Sequence, residues 1–286
     1  MNYYNNRIEK GLFTIILFLL FNQQLFCETQ NDSIFKQPII LMSSQILDKM
    51  GMNISFINSF DFTPQQQILL SSLNQFYLLG WESFVSLEPI LSSPISSFTY
   101  NSENVLLAVI GQNIYFFDDD QNQFVELFPL PHENMEISSG KNEVIYVYDK
   151  EKQDNYVLYR LRNKEAPLKI FEISTPITSV LEVNENILFA TNNKICSINM
   201  KDKTAEVIIQ LPNDSDKIMS MTQDYTNSVL YFSTIDAVYA VKDKQAGCVI
   251  EQIGGLIKCY NNELYVFNPE KKFLISFYIN NLSGKK

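Results

Sequence analysis

The densest run of hard oxygen donors in the sequence is Asp118-Asp119-Asp120-Gln121-Asn122-Gln123-Phe124-Val125-Glu126. Asp118, Asp120, Asn122 and Glu126 fall at positions 1, 3, 5 and 9 of a calcium-loop spacing. Oxygens at alternate positions of a tight turn can converge on one cation, with a backbone carbonyl near Phe124 completing the shell. Gln123 stands where such loops carry glycine for the sharp turn, so any affinity is expected to be weak, around 10⁻⁴–10⁻³ M. The same residues also suit a solvated hairpin tip between the apolar strands Ile114–Phe117 and Phe124–Phe128. No cofactor other than calcium is implied.

Other chemistries are narrowed by residue type. The single histidine, His132, removes every metal site or mechanism that needs two, including three-His and HExxH zinc centres. There is no P-loop, glycine-rich dinucleotide turn or CxxC pair. Cys196, Cys248 and Cys259, with Cys27 in the apolar leader, do not form a disulfide framework and read mainly as small buried hydrophobes. Only Cys248 and Cys259 are close enough in sequence to suggest a pair. A net charge of −10 argues against nucleic acid and against direct binding to anionic membranes, both of which attract basic surfaces.

The elements that would position these residues are short strands. Of 286 residues, 21 are Phe and 15 are Tyr, and apolar runs rich in aromatic and β-branched residues alternate with turns of Asn, Asp, Lys and Gly. The runs fall into units over 53–90, 94–130, 135–173, 176–212, 217–254 and 255–279. Each unit opens with a strand holding a small residue. Isoleucine, any residue, serine and an apolar residue recur at Ile95–Phe98, Ile177–Val180 and Ile218–Met221, with looser versions at Ile54–Ile57, Glu136–Ser139 and Leu256–Cys259. The second strand is the most apolar, and its anchor positions Leu69, Leu106, Ile145, Leu188, Leu230 and Leu264 lie roughly forty residues apart. Four strands per repeat at that period predict an all-β, six-bladed β-propeller with four-stranded blades, because sheets packed radially cover one another's faces. Tandem β-sandwiches are the structural alternative. The last unit supplies only three strands, so the apolar segment 38–45 is expected to pair as its fourth and close the ring. The repeated Ser97, Ser179 and Ser220 then read as packing residues near the axis.

In phrases such as Ser228–Val241 (SVLYFSTIDAVYAV) and Asn262–Phe277 (NELYVFNPEKKFLISF), the chain resembles the broad six-bladed β-propeller class from about Pro38 to Ile279. The WD40 signature is absent, and the only tryptophan is Trp81. The Asp118 run resembles the hairpin calcium loops of integrin-type propellers. Similarity to lactonase-like propellers, whose axial calcium is held at inner-strand ends, would point to Asp61, Glu182, Asn184 and Asp224.

Residues 1–27 have the order of a secretory signal: Arg7 and Lys10, the apolar stretch 11–21, then a polar break before Leu25-Phe26-Cys27. An uncleaved anchor over 11–21 is the alternative. Residues 28–286 are expected to form a single propeller domain. Sequons at Asn31, Asn53, Asn213 and Asn281 fit a secreted or endomembrane-lumenal glycoprotein. A propeller presents one face of loops around its channel, and the polar, uncharged turns Ser71–Gln75, Asn192-Asn193 and Asn261-Asn262, expected on that face, suit a protein or glycan partner. The leading expectation is a non-enzymatic binding module. The alternatives are a calcium-dependent lactonase-like hydrolase, or a propeller subunit of a membrane-associated complex.

Overall fold

Second strands with no alternation are the starting point. Leu106–Ile110 and Val144–Tyr148 are buried at every position. A strand can bury both faces only when other sheets cover both. The computed structural model describes residues 35, 38–43, 57–80, 84–150, 155–162, 165–242 and 244–279, and supplies those covering sheets.

Strand β1 (Ile39–Ser43) comes first in the chain and last in the ring. Blade 1 contains β2 (Ile57–Phe62), β3 (Ile68–Ser72), β4 (Gln75–Leu79) and β5 (Phe84–Leu87). Blade 2 contains β6 (Ile95–Tyr100), β7 (Leu106–Ile110), β8 (Asn113–Asp118) and β9 (Gln123–Pro129). Blade 3 contains β10 (Glu136–Ser139), β11 (Val144–Tyr148), β12 (Tyr156–Arg162) and β13 (Leu168–Ile173). Blade 4 contains β14 (Ser179–Val183), β15 (Asn186–Thr191), β16 (Lys194–Asn199) and β17 (Thr204–Gln210). Blade 5 contains β18 (Ser220–Asp224), β19 (Val229–Ser233), β20 (Ala237–Lys242) and β21 (Gln245–Glu251). Blade 6 contains β22 (Leu256–Tyr260), β23 (Glu263–Asn268) and β24 (Phe273–Tyr278), with β1 as its outer strand. All six sheets are antiparallel and four-stranded, the six-bladed propeller that the repeat implies.

The closing strand lies where the strand count requires it. Ile39 pairs with Ser276 and Ser43 with Phe273, with a bulge between Ile40 and Met42. Met42 is fully buried against Phe60 and Leu70 of blade 1 and Phe267 and Leu274 of blade 6, so it latches the seam between first and last blades. Phe35 bridges to Ile279 and sits against Tyr231 and Phe277 at ring distances of 5.9 and 5.8 Å.

The core is divided among such seams. One cluster joins blades 3 and 4 through Tyr146, Leu158 and Phe189, and another joins blades 4 and 5 through Ile195, Ile218 and Phe232. Around the axis the small residues of the first strands hydrogen-bond from blade to blade. Asn58 Nδ2 donates to Ile95 O (2.9 Å), and Ser97 Oγ accepts from Ile137 N (3.3 Å). Ser138 Oγ donates to Val180 O (2.8 Å), and Ser179 Oγ accepts from Met221 N (3.1 Å). Ser220 Oγ donates to Ile257 O (3.3 Å), and Thr222 Oγ1 accepts from Cys259 N (2.9 Å). The repeated serine therefore satisfies backbone groups on converging strand edges, which would otherwise lie buried without partners.

A second repeating device was not legible in the sequence. Asn74, Gln112 and Asn193, in the turns between second and third strands, accept with their main-chain oxygens from Leu91, Leu130 and Leu211. Their side-chain amides donate to Leu91 O, Pro131 O and Leu211 O. Each clasp ties a turn to the segment leaving the blade's outer strand.

Three expectations need correction. The looser match at Ile54–Ile57 falls, up to residue 56, outside the described residues, and β2 carries the full motif at Ile57-Asn58-Ser59-Phe60, with Ile57 and Phe60 buried as Ile95 and Phe98 are. The three polar turns do not share a face. Ser71–Gln75 and Asn192-Asn193 connect second to third strands, whereas Asn261-Asn262 connects first to second, at the other end of the blades. Asn193 is moreover buried in its clasp. Cys196, Cys248 and Cys259 are free thiols, and Cys248 is exposed because it lies on the outward outer strand β21. Residues 1–27 and the sequons Asn31, Asn53 and Asn281 lie outside the described residues. Among those described, no helix is long and apolar enough to cross a membrane.

Candidate functional site

Six equivalent inner strands must all run in the same direction along the axis. Their starts therefore gather at one mouth of the central channel and their ends at the other. The channel encloses a cavity of about 300 Å³. The strand-start mouth carries Asn58, Glu136, Lys150 and Thr178, with Lys150 Nζ 3.1 Å from Glu136 Oε1. The strand-end mouth carries Asp61, Tyr100, Lys141, Glu182, Tyr225 and Lys258.

Two carboxylates reach this second mouth, and both are bonded into its wall. Asp61 Oδ2 takes Lys258 Nζ at 3.0 Å and Thr99 Oγ1 at 3.1 Å, so blade 1 is tied to blades 6 and 2. Glu182 Oε2 accepts from Tyr146 OH (2.8 Å) and from the main-chain N of Lys141 (3.2 Å), which ties blade 4 to blade 3. Gly140 permits the second arrangement, since a Cβ there would come within 2.7 Å of Glu182 Oε2 and of the Tyr146 ring. Burial, followed by the Glu182 hydrogen bond and charge, raises the Tyr146 phenol well above its ordinary range. Burial, then Asp61 and Asp119, does the same for Tyr100. Cys259 is held far up by burial and the Asp224 charge, so its thiol stays protonated and is a poor nucleophile at neutral pH.

Of the residues suggested by the lactonase likeness, Asp61 and Glu182 line the channel on blades 1 and 4, which face each other across a ring of six. The other two are not among the residues that line the channel. Asp224 is buried and accepts from Thr226 N (2.9 Å) and Asn227 Nδ2 (2.6 Å). Asn184 is exposed in the β14–β15 turn at φ 49°. Sequence reasoning passed over Lys258 and Gly140. Lys258 carried a signal, being a charge inside a first strand otherwise made of small and apolar residues.

The Asp118 loop is the turn between β8 and β9. Asp118 pairs with Gln123, and its Oδ1 accepts from the N–H groups of Asp120 (3.0 Å) and Gln121 (3.1 Å). The left-handed position expected at Gln123 belongs to Asn122, at φ 51°. Asparagine tolerates that conformation, so the turn forms without a glycine. Glu126 pairs with Tyr115, on the opposite face of the hairpin from Asp118 and three pairs below the tip. The structure thus brings Asp118, Asp120 and Asn122 together and leaves Glu126 apart. Among the described residues, no group of three or more His, Cys, Asp or Glu side chains is placed to hold a metal ion. Calorimetry with calcium should give heats no stronger than the weak extracellular range, around 10⁻⁴–10⁻³ M. Binding tighter than about a micromolar that Asp118→Ala abolishes would show a complete site.

No family model and no curated protein matches the chain. Solved structures do match. A protein assigned as a gluconolactonase aligns over 85% of this chain and 92% of its own, at 10% identity and a TM-score of 0.65. The extracellular domain of a one-component system from B. thetaiotaomicron aligns over 79% of this chain, at 13% identity and a TM-score of 0.57. This chain spans only 33% of that protein. A chain of the nidogen/laminin complex aligns over 74% of this chain and 98% of its own, at 9% identity and a TM-score of 0.58. What is shared is the propeller. Identities this low carry the fold and no chemistry.

Proposed function

We propose that the protein is a secreted or lumenal propeller acting as a non-enzymatic binding module for a protein or glycan partner. The observation that carries this reading is the engagement of the channel's three carboxylates in its wall, Asp61 by Lys258 and Thr99, Glu182 by Tyr146 and Lys141, and Glu136 by Lys150. A general base or a calcium ligand needs lone pairs directed at substrate or ion. Here Asp61 Oδ2 and Glu182 Oε2 join blade to blade, and Asp61 Oδ1 accepts from Phe62 N (2.9 Å). Matches among extracellular domains and in a laminin complex support the location and the kind of partner.

The leader-like order of residues 1–27 supports secretion, and Asn213 supports a glycan, being exposed in the segment between β17 and β18. That segment lies on the strand-start face, so a glycan there leaves the strand-end face open. In a secretory host the protein should begin near Glu28 and shift on endoglycosidase treatment, with part of the shift lost in Asn213→Gln. An intact Met1 on an unshifted protein would replace secretion with the membrane-tethered reading.

The deciding experiment couples two measurements on the secreted protein. Sugar-lactone hydrolysis in the presence of calcium should not exceed buffer. Immobilised protein should retain a partner from an extracellular fraction, and deglycosylating that fraction distinguishes glycan from protein recognition. Lactone turnover lost in Asp61→Asn, with nothing retained, would install the hydrolase reading.

A further inference from the structure

Blades 2 and 3 do not close fully against each other. Between them lies a cavity of about 450 Å³, within the range of ligand pockets, about 300–1,000 Å³. Its walls include Val105, Leu107, Phe116, Leu127 and Phe128. Its rim holds Asn101, Glu103, Glu143 and Arg162, all at the strand-end face. The rim is built rather than incidental, because Glu143 N donates to Ser102 Oγ (2.9 Å) and joins the first turns of the two blades.

Acids outnumber cations around this opening. Glu103 and Glu143 stand together on the rim, on turns joined by the Ser102 hydrogen bond, and Arg162 is the cation on that rim. On the same face stand Asp118, Asp119 and Asp120 around the β8–β9 turn, Glu182 near the end of β14 and Glu185 in the β14–β15 turn, countered nearby by Lys141. Two neighbouring carboxylates above an apolar cleft are relieved by a cation that brings its own apolar anchor.

We infer that this inter-blade groove is the docking site for a basic peptide segment of a partner protein, inserting a bulky apolar side chain between blades 2 and 3 and setting a Lys or Arg against Glu103 and Glu143. The inference rests on the binding-module reading and adds the face and the chemistry of the partner. The groove supplies apolar burial, and the acid pair supplies orientation and sign.

The test is fluorescence anisotropy with a labelled peptide that alternates Leu and Phe with Lys. One control peptide replaces Lys by Glu, and another replaces Leu and Phe by Ser. The first peptide alone should bind. Its affinity should fall about fivefold in Glu103→Gln/Glu143→Gln, since exposed ion pairs are individually weak. It should fall about tenfold in Leu127→Ser, which removes an apolar wall at the β9 bulge. Raising salt from about 50 to about 300 mM should weaken it as well. Glu251→Gln, at the end of β21 on the opposite face, should change nothing, and thermal melts of each variant confirm an intact fold. Equal binding of either control peptide, or wild-type affinity in both groove variants, overturns the inference. So does an absence of peptide binding by a protein that still retains a partner, and that result leaves the module reading standing. Failure of both measurements removes the module reading as well.

Discussion

Replacing Met42 by alanine should cost about 2–4 kcal/mol, the loss expected when a fully buried side chain is truncated in a core that relaxes only partly. The number matters because of where it falls. Met42 belongs to a short strand contributed from the far end of the chain, and it touches both blades that meet at the closing seam. Ile39→Ala on the same strand should cost far less, since Ile39 is 58% exposed. Deleting the chain through Ser43 removes β1 and Phe35 together, leaving β24 an unpaired edge and Tyr231 and Phe277 without their ring partner. That protein should lose its cooperative transition or melt at least about 10 °C lower. Urea titration of the point variants and a thermal scan of the deletion are the measurements. A truncated protein that kept its melting temperature as a monomer would refute ring closure by this strand.

A comparable loss is expected at the other side of blade 6. Gly255 is buried at φ +131°, a region essentially closed to other residues, where a Cβ would overlap the Phe267 carbonyl oxygen. Its neighbour Gly254 is as confined, since a Cβ there would overlap the Thr234 carbonyl. These residues carry the chain from β21 into β22, and Asn268 Nδ2 holds Gly254 O at 2.8 Å. Gly255→Ala should therefore destabilise the protein by about 3–5 kcal/mol, combining backbone strain with overpacking. Gly247→Ala is the matched control. Nothing lies within 4 Å of the added methyl, so it should be neutral or slightly stabilising. Denaturation midpoints that fail to separate the two substitutions would contradict the tight crossing between blades 5 and 6.

What was legible in the sequence follows from locality. The unalternating runs Val105–Val109 and Val229–Ser233 announced second strands covered on both faces, and the shortage of one strand in the last unit pointed to 38–45. Ser97 and Ser179 repeated because each meets the same backbone edge in successive blades. What stayed hidden depends on which end of a blade a turn occupies and on contacts across seams. Asn193 and Asn261 look alike in sequence, yet one is a buried clasp and the other lies at the opposite face. Asp61 looked like any turn acid because its partner, Lys258, is 197 residues away. The full pattern Ile57–Phe60 was missed beside the looser match that begins at Ile54. The groove between blades 2 and 3 reflects how far two sheets splay, which no single strand encodes. At the Asp118 loop the sequence identified the turn correctly and not the residue that takes the left-handed conformation.

The latch also governs the order of assembly. Each seam between consecutive blades joins segments that are near in sequence, so five of the six can form while synthesis continues. The sixth waits on the pairing of Ile39–Ser43 with Phe273–Tyr278, whose halves are separated by nearly the whole domain. Pairings of such long range are slow, since the chain must be ordered before the contact rewards it. The early strand therefore waits unpaired with two apolar side chains, Ile39 and Ile40, that stay exposed even after it docks. During that interval a second nascent chain offers the same β24 edge, and exchange of β1 between two rings is the natural error of this architecture.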